Sequence, residues 1–226
     1  MTMATAFTDP AAVAAYADGP PRMVPGFADM QRMCLLLVAE TAPPAARILV
    51  LGAGGGLELE VFAKAQAQWR FDGVDPSAGM LELAQTRLQE HLHRVQLHHG
   101  LIDVAPDGPF DAACCLLTLH FLAREERRRT LMEVRRRLKP GAAFVAAHFS
   151  FPQEEAVRGR WLARCTAFAI SSGIDPEKAL AREKGLGEQL PVLSPQEDEA
   201  VLREAGFSGI ELFYTALGFR GWVAKA

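Results

Sequence analysis

Apolar residues along this chain follow two rhythms. Unbroken runs at 48–51 (Ile-Leu-Val-Leu), 112–117 (Ala-Ala-Cys-Cys-Leu-Leu) and 142–149 predict strands buried on both faces. Further strands are expected at 71–75, 95–98, 210–215 and 219–224. Between them the period becomes helical. Met30, Met33, Cys34, Leu37 and Val38 form one stripe of a helix over 27–41; a shorter helix at 9–17 precedes it, set apart by a turn at Pro20-Pro21. Leu81, Ala84, Leu88 and Leu92 give another stripe, with Ser77 as its N-cap, and Leu131, Val134 and Leu138 a third over 124–139.

Strands alternating with helices imply an α/β fold with a doubly wound, mostly parallel seven-stranded sheet of Rossmann-like type. The last two strands have no helix between them and should close the sheet as an antiparallel pair. The chain reads as one domain over 1–226, with cap helices at 1–45, a core at 46–150, a helical insertion at 151–194, and a last helix and hairpin at 195–226. At 226 residues, half of them hydrophobic, it can bury one substantial core without dividing. Within the insertion a helix carrying Trp161, Cys165 and Phe168 is followed by Gly173, Pro176, Gly185 and Gly187; it either shapes a pocket or covers the sheet as a surface hairpin.

Charge and composition narrow the field. The formal net charge is −3, so nothing global attracts nucleic acid. Residues 124–139 hold eight basic side chains, which the helical pattern places on a solvated face with i,i+4 support such as Glu125 to Arg129. That face would contact phosphate if the substrate were RNA. No apolar run reaches the roughly 18 residues a bilayer span needs, and the N-terminus lacks a signal-peptide pattern, so a cytoplasmic protein without membrane association is expected. Four cysteines, Cys34, Cys114, Cys115 and Cys165, have neither metal nor disulfide spacing; adjacent Cys114 and Cys115 should point to opposite faces of their strand.

The chemistry is concentrated where the first strand ends. Ile48 to Leu51 runs into Gly52-Ala53-Gly54-Gly55-Gly56, and a helical pattern opens at Leu57. Glycines there let backbone approach a ligand that a Cβ would block. The dinucleotide fingerprint needs a third small residue where this chain has Leu57, so the turn suits a ligand without a pyrophosphate. Asp75 ends the second strand 23 positions after Gly52, near the roughly 20-residue spacing of a ribose-binding carboxylate.

Four blocks in order, ILVLGAGGG, FDGVDPSAGMLELA, PFDAACCLLTLHFL and LMEVRRRLKPGAAFVAAHFS, resemble the class I S-adenosylmethionine (SAM)-dependent methyltransferases over about residues 24–226. Val24-Pro25-Gly26-Phe27, Thr118-Leu119-His120-Phe121 and Ala205-Gly206-Phe207 look most like the carboxy-SAM synthase branch. The resemblance implies SAM as cofactor, held by Gly52, Ala53, Gly54, Gly56, Asp75, Pro76, Met80, Ile102, Asp103 and Leu116. Two departures stand out: Val50 occupies a position where many members carry an acid, and Leu101 follows Gly100 where an acid is common, leaving Asp103 or the backbone at Ile102 for adenine.

Transfer from a sulfonium is an in-line displacement governed by alignment, so a base is needed only if the acceptor must lose a proton. His120, just beyond the fourth strand, is the candidate catalytic base, with an orienting pocket wall as its alternative role. His148, Phe27, Trp161 and Arg182 are candidate acceptor contacts. The expected activity is methyl transfer to a small-molecule acceptor. One alternative is a carboxy-SAM synthase-like enzyme of tRNA wobble-uridine modification, whose branch supplies a tyrosine, an asparagine and an arginine for the extra carboxylate; here Phe27 and Leu116 stand at the first two positions and Arg182 is the arginine near the third. A SAM-binding protein without chemistry is the other. The resemblance also allows a homodimer.

Overall fold

The computed structural model describes residues 18–226, so the helix expected at 9–17 lies outside the described residues. The helices are α1 (Gly19–Met23), α2 (Phe27–Ala39), α3 (Leu57–Ala65), α4 (Ala78–Arg87), α5 (Arg124–Arg136), α6 (Glu155–Ser171), α7 (Pro176–Gln189) and α8 (Pro195–Glu204). The strands are β1 (Arg47–Leu51), β2 (Arg70–Asp75), β3 (Val95–His99), β4 (Phe110–Leu116), β5 (Leu138–Phe149), β6 (Ser208–Ala216) and β7 (Phe219–Lys225). They form one seven-stranded sheet in the order β3-β2-β1-β4-β5-β7-β6. β1 to β5 are parallel; β7 runs antiparallel between β5 and β6.

At β1, β4 and the second half of β5 both faces of the sheet are buried, as the unbroken apolar runs require, whereas the edge strands β3 and β6 are partly exposed. Ile48, Val50, Cys114, Val145 and Ala147 pack on one face beneath α2, α3 and α4; Leu49, Leu51, Cys115, Phe144 and Ala146 pack on the other beneath α5 and α8. Cys114 and Cys115 therefore do point apart. The chain turns to opposite sides after β1 and at β4, so the ligand crevice of such a sheet opens at the carboxyl ends of these two neighbours.

Several local expectations change. Pro20 and Pro21 do not form a turn; they sit in the first turn of α1, where a missing N–H costs nothing. α4 ends at Arg87, Leu88 begins a 3₁₀ stretch, and Leu92 is left exposed. Leu138 belongs to β5, because α5 closes at Arg136. The arginine-rich helix is not uniformly solvated, since Arg127 and Arg137 are buried, and Glu125 pairs with Arg124 and Arg128 while Arg129 pairs with Asp103. The insertion is a pair of helices, α6 and α7, joined through Gly173 at φ 88°, with Asp175 capping α7 by accepting from the Lys178 N–H at 3.0 Å.

Candidate active site

The glycine turn divides its labour. Gly52, Gly54 and Gly56 all have positive φ, at 74°, 48° and 79°. A Cβ on Gly52 would stand 1.9 Å from Thr118 Oγ1, and one on Gly56 would stand 3.2 Å from Ala84 Cα, so these two glycines let the turn seat against the β4 loop and α4. Gly54 instead donates its N–H to Asp75 Oδ2 at 2.9 Å, and Ser77 N–H donates to Oδ1 at 2.9 Å. Asp75 thus ties the turn to the tip of β2 with its carboxylate held in one orientation. Burial pushes its pKa up, opposed by those two amides and by His99. His99 Nε2 bonds to the Pro76 carbonyl at 3.0 Å, and Ser77 accepts from the Met80 N–H, placing Pro76 and Met80 beside Asp75.

Of the expected adenine contacts, Ile102 is buried in the α5-side core, whereas Asp103 is exposed and paired with Arg129 at 3.1 Å. Leu116 ends β4, and Leu117 follows it at φ 54°, a conformation unusual for a leucine, from which the chain turns into the Leu119–Phe121 3₁₀ segment.

His120 lies in that segment, buried and in ring contact with Phe121 and Phe149 at centroid distances of 4.5 and 5.4 Å. Burial, then His148, Arg127 and Arg182, hold its pKa well below the usual histidine value. The Phe149 N–H donates to Nδ1 at 3.4 Å. A neutral imidazole that accepts at Nδ1 carries its proton on Nε2, so the resting side chain is a donor there, which changes the expectation of a ready base.

His148, expected among the acceptor contacts, is buried on the other face of β5 from Phe149. Successive strand residues face opposite ways, so where Phe149 turns toward α6, His148 turns toward α8, lying 3.2 Å from Asp198 Oδ1 and against Trp222. Asp198 also pairs with Arg127, whose second amino group donates to the Leu122 and Pro191 carbonyls. Ser150 is buried beside Asp198, its hydroxyl without a hydrogen-bond partner among the described residues.

A cavity of about 210 Å³ lies between α6, α7 and the end of β5, lined by apolar side chains including Met23, Phe149, Leu162 and Ile174 together with Thr166, Cys165, Lys178, Arg182 and Glu183. Arg182 keeps accessible surface there, yet the surrounding protein pushes its pKa down, and among the described residues nothing forms an ion pair with it. Phe27 and Trp161 do not line this cavity. Phe27 opens α2 in the core, and the Trp161 ring lies under the Arg164 and Arg220 guanidiniums at 4.6 and 5.6 Å.

Two residues passed unnoticed in the sequence. Lys178 has no distinguishing context. Glu58 does, because it interrupts the inward stripe of Leu59, Phe62 and Ala63 on α3 and is only 4% exposed.

Comparison with known proteins bears on all of this. Residues 48–141 match a family model described as a methyltransferase domain. The chain is 22% identical over 217 residues to the carboxy-S-adenosyl-L-methionine synthase of Campylobacter fetus, covering 96% of this chain and 92% of that protein. Its fold is similar to a SAM-dependent methyltransferase of Aquifex aeolicus (TM-score 0.63, 18% identity, 96% and 98% covered). It is also similar to an O-methyltransferase candidate from Nostoc punctiforme (TM-score 0.68, 20% identity), of which it spans 64% of the length.

Proposed function

We propose that this chain, a class I SAM-dependent methyltransferase, passes the methyl group to a compact, largely apolar acceptor held in the cavity between α6 and α7. The cofactor's place is supported by residues that fit it: a glycine turn with positive φ at Gly52, Gly54 and Gly56, and the Asp75 carboxylate, oriented by two backbone amides, at the tip of the neighbouring strand. When bound, SAM supplies a methyl group already activated by its sulfonium. The remaining work is alignment, for which effective molarities reach about 10⁵ M or more. The observation that carries the proposal is the cavity itself, whose wall shares Phe149 with the ring contacts of His120 at the carboxyl edge of the sheet. His120, protonated on Nε2, orients the acceptor as a donor and takes no proton from it. The acceptor's nucleophilic atom therefore needs no base from the protein.

One observation favours a second reading. Arg182, without an ion-pair partner among the described residues, offers a cavity that is otherwise mostly apolar a cation suited to a carboxylate, as carboxy-SAM would present. Against it, Phe27 and Leu116 cannot hydrogen-bond that group. Mass spectrometry of the ligand released from purified protein separates the two. SAM or S-adenosylhomocysteine supports plain methyl transfer, and a mass higher by one carboxyl group supports the second reading. In an acceptor screen, His120→Asn is expected to keep its rate within about tenfold; a loss of 10² or more restores His120 as a base.

A further inference from the structure

Glu58 stands at the second position of α3, immediately behind the glycine turn, with 4% of its surface exposed. Its own backbone N–H donates to it, and no cation among the described residues pairs with it. The nearest charged or titratable groups are Asp75 at the tip of β2 and the thiols of Cys114 and Cys115 on β4. β1 runs between those two strands, so Glu58, in the first turn of the helix that follows β1, is buried beside the carboxyl half of that strand. Cations around it are committed elsewhere. Arg87 bonds to Glu60 and the Gly55 carbonyl on the outer side of α3, Arg127 to Asp198, and His99 to Pro76. Cys34 on α2 bonds to Cys114 and adds no positive charge.

The crevice therefore holds two neighbouring buried acids, of which Asp75 has His99 nearby and Glu58 has no cation paired with it among the described residues, while the cofactor of this enzyme class carries a cationic amino-acid tail. Burial and the Asp75 charge raise the Glu58 pKa to about 8, so in the free protein it carries a proton at neutral pH. A cation arriving beside it reverses that balance.

We infer that Glu58 is the counter-ion for the α-ammonium group of the bound cofactor's amino-acid tail. It rests on the SAM reading of the site. On binding, the Glu58 carboxyl loses its proton to solvent and the carboxylate pairs with the ammonium. Below about pH 8 the cofactor then binds more tightly as pH rises, by up to tenfold per unit, and above it the affinity levels off.

Calorimetric titration of the whole protein with S-adenosylhomocysteine at pH 7, in phosphate and in Tris, reads the proton directly. Release approaching one proton per ligand is expected. 5′-Methylthioadenosine keeps the adenosine and the thioether but lacks the ammonium; it should bind with no release and no pH dependence. Glu58→Gln should abolish the release and weaken S-adenosylhomocysteine at least tenfold at pH 8. Absence of release with the wild-type protein, equal release by both ligands, or an unchanged Glu58→Gln variant overturns the inference. Binding of neither ligand overturns the cofactor assignment beneath it.

Discussion

Across the sheet from one another lie two buried clusters of ionisable groups with opposite construction. On the α8 side, Arg127, Asp198 and His148 bring cation, anion and imidazole within contact of each other; the Leu122 and Pro191 carbonyls accept from one guanidinium amino group, while Arg127 Nε and Asp198 Oδ2 are left without a hydrogen-bond partner among the described residues. Behind the glycine turn, Glu58 and Asp75 gather two buried acids with backbone amides for company, and among the described residues no ion pair reaches Glu58. In the first cluster the cation and the anion balance each other, and the pair joins α5 to α8 beside β5. The second is left incomplete by the fold, which is what a site for a cationic ligand requires. Where buried charge is balanced internally it organises structure; where it is not, it marks a place to be filled.

That contrast can be broken from the complete side first. Arg127→Met strands Asp198 in the core with only His148 and Ser150, and a loss of about 3–5 kcal/mol is expected in urea unfolding. Adding Asp198→Leu recovers most of it, because a buried pair contributes little net over apolar packing. If the single variant unfolds like wild type, the cluster is not holding these elements together.

On the incomplete side the sign reverses. Glu58 binds its proton more tightly folded than unfolded, with a pKa pushed up by burial to about 8 from the usual 4.5. Its favourable contribution is full below about pH 4.5 and is lost as pH rises to about 8, by about 1.4 kcal/mol per unit. Ligand-free Glu58→Gln should therefore gain on wild type between pH 5 and 8, with the difference growing at that slope. A pH-independent difference in thermal unfolding would contradict the burial of an uncompensated acid.

The smallest effect is expected at Arg129, whose pairing with Asp103 is exposed on both sides. Arg129→Ala should shift stability by about 0.5 kcal/mol or less, since solvent screens such a pair. A larger loss would mean that Asp103 needs its partner for something beyond stability.

Much of the scaffold was legible because buried parallel strands and glycine turns leave strong local marks. Ile48 to Leu51 followed by Gly52, Gly54 and Gly56 placed β1 and the crevice, and Asp75 stands where its spacing from Gly52 put it, at the tip of β2. Facing was harder. His148 and Phe149 alternate, but both faces of β5 are buried, so polarity could not say which residue turns toward α6. Arg127 lies at i, i+4 and i+7 with Leu131 and Val134, yet its run of arginines resembles a solvated surface; only the opposing Asp198 from α8, 71 residues away, explains its burial. The cavity between α6 and α7 arises from packing between helices and has no signature in either alone.

One hydrogen bond reaches further along the chain than any of these. The Tyr214 hydroxyl donates to the Pro25 carbonyl, joining β6 to the segment between α1 and α2 across 189 positions of sequence. Closing so long a loop costs more chain entropy than forming the neighbouring strand pairs, and topology with such distant contacts slows folding. Met23, which forms part of the cavity wall, lies two residues before that clasp. The cavity is thus a late product of synthesis: the wall that holds Met23 waits for Tyr214, 189 residues after Pro25, to emerge before it can be fastened in place.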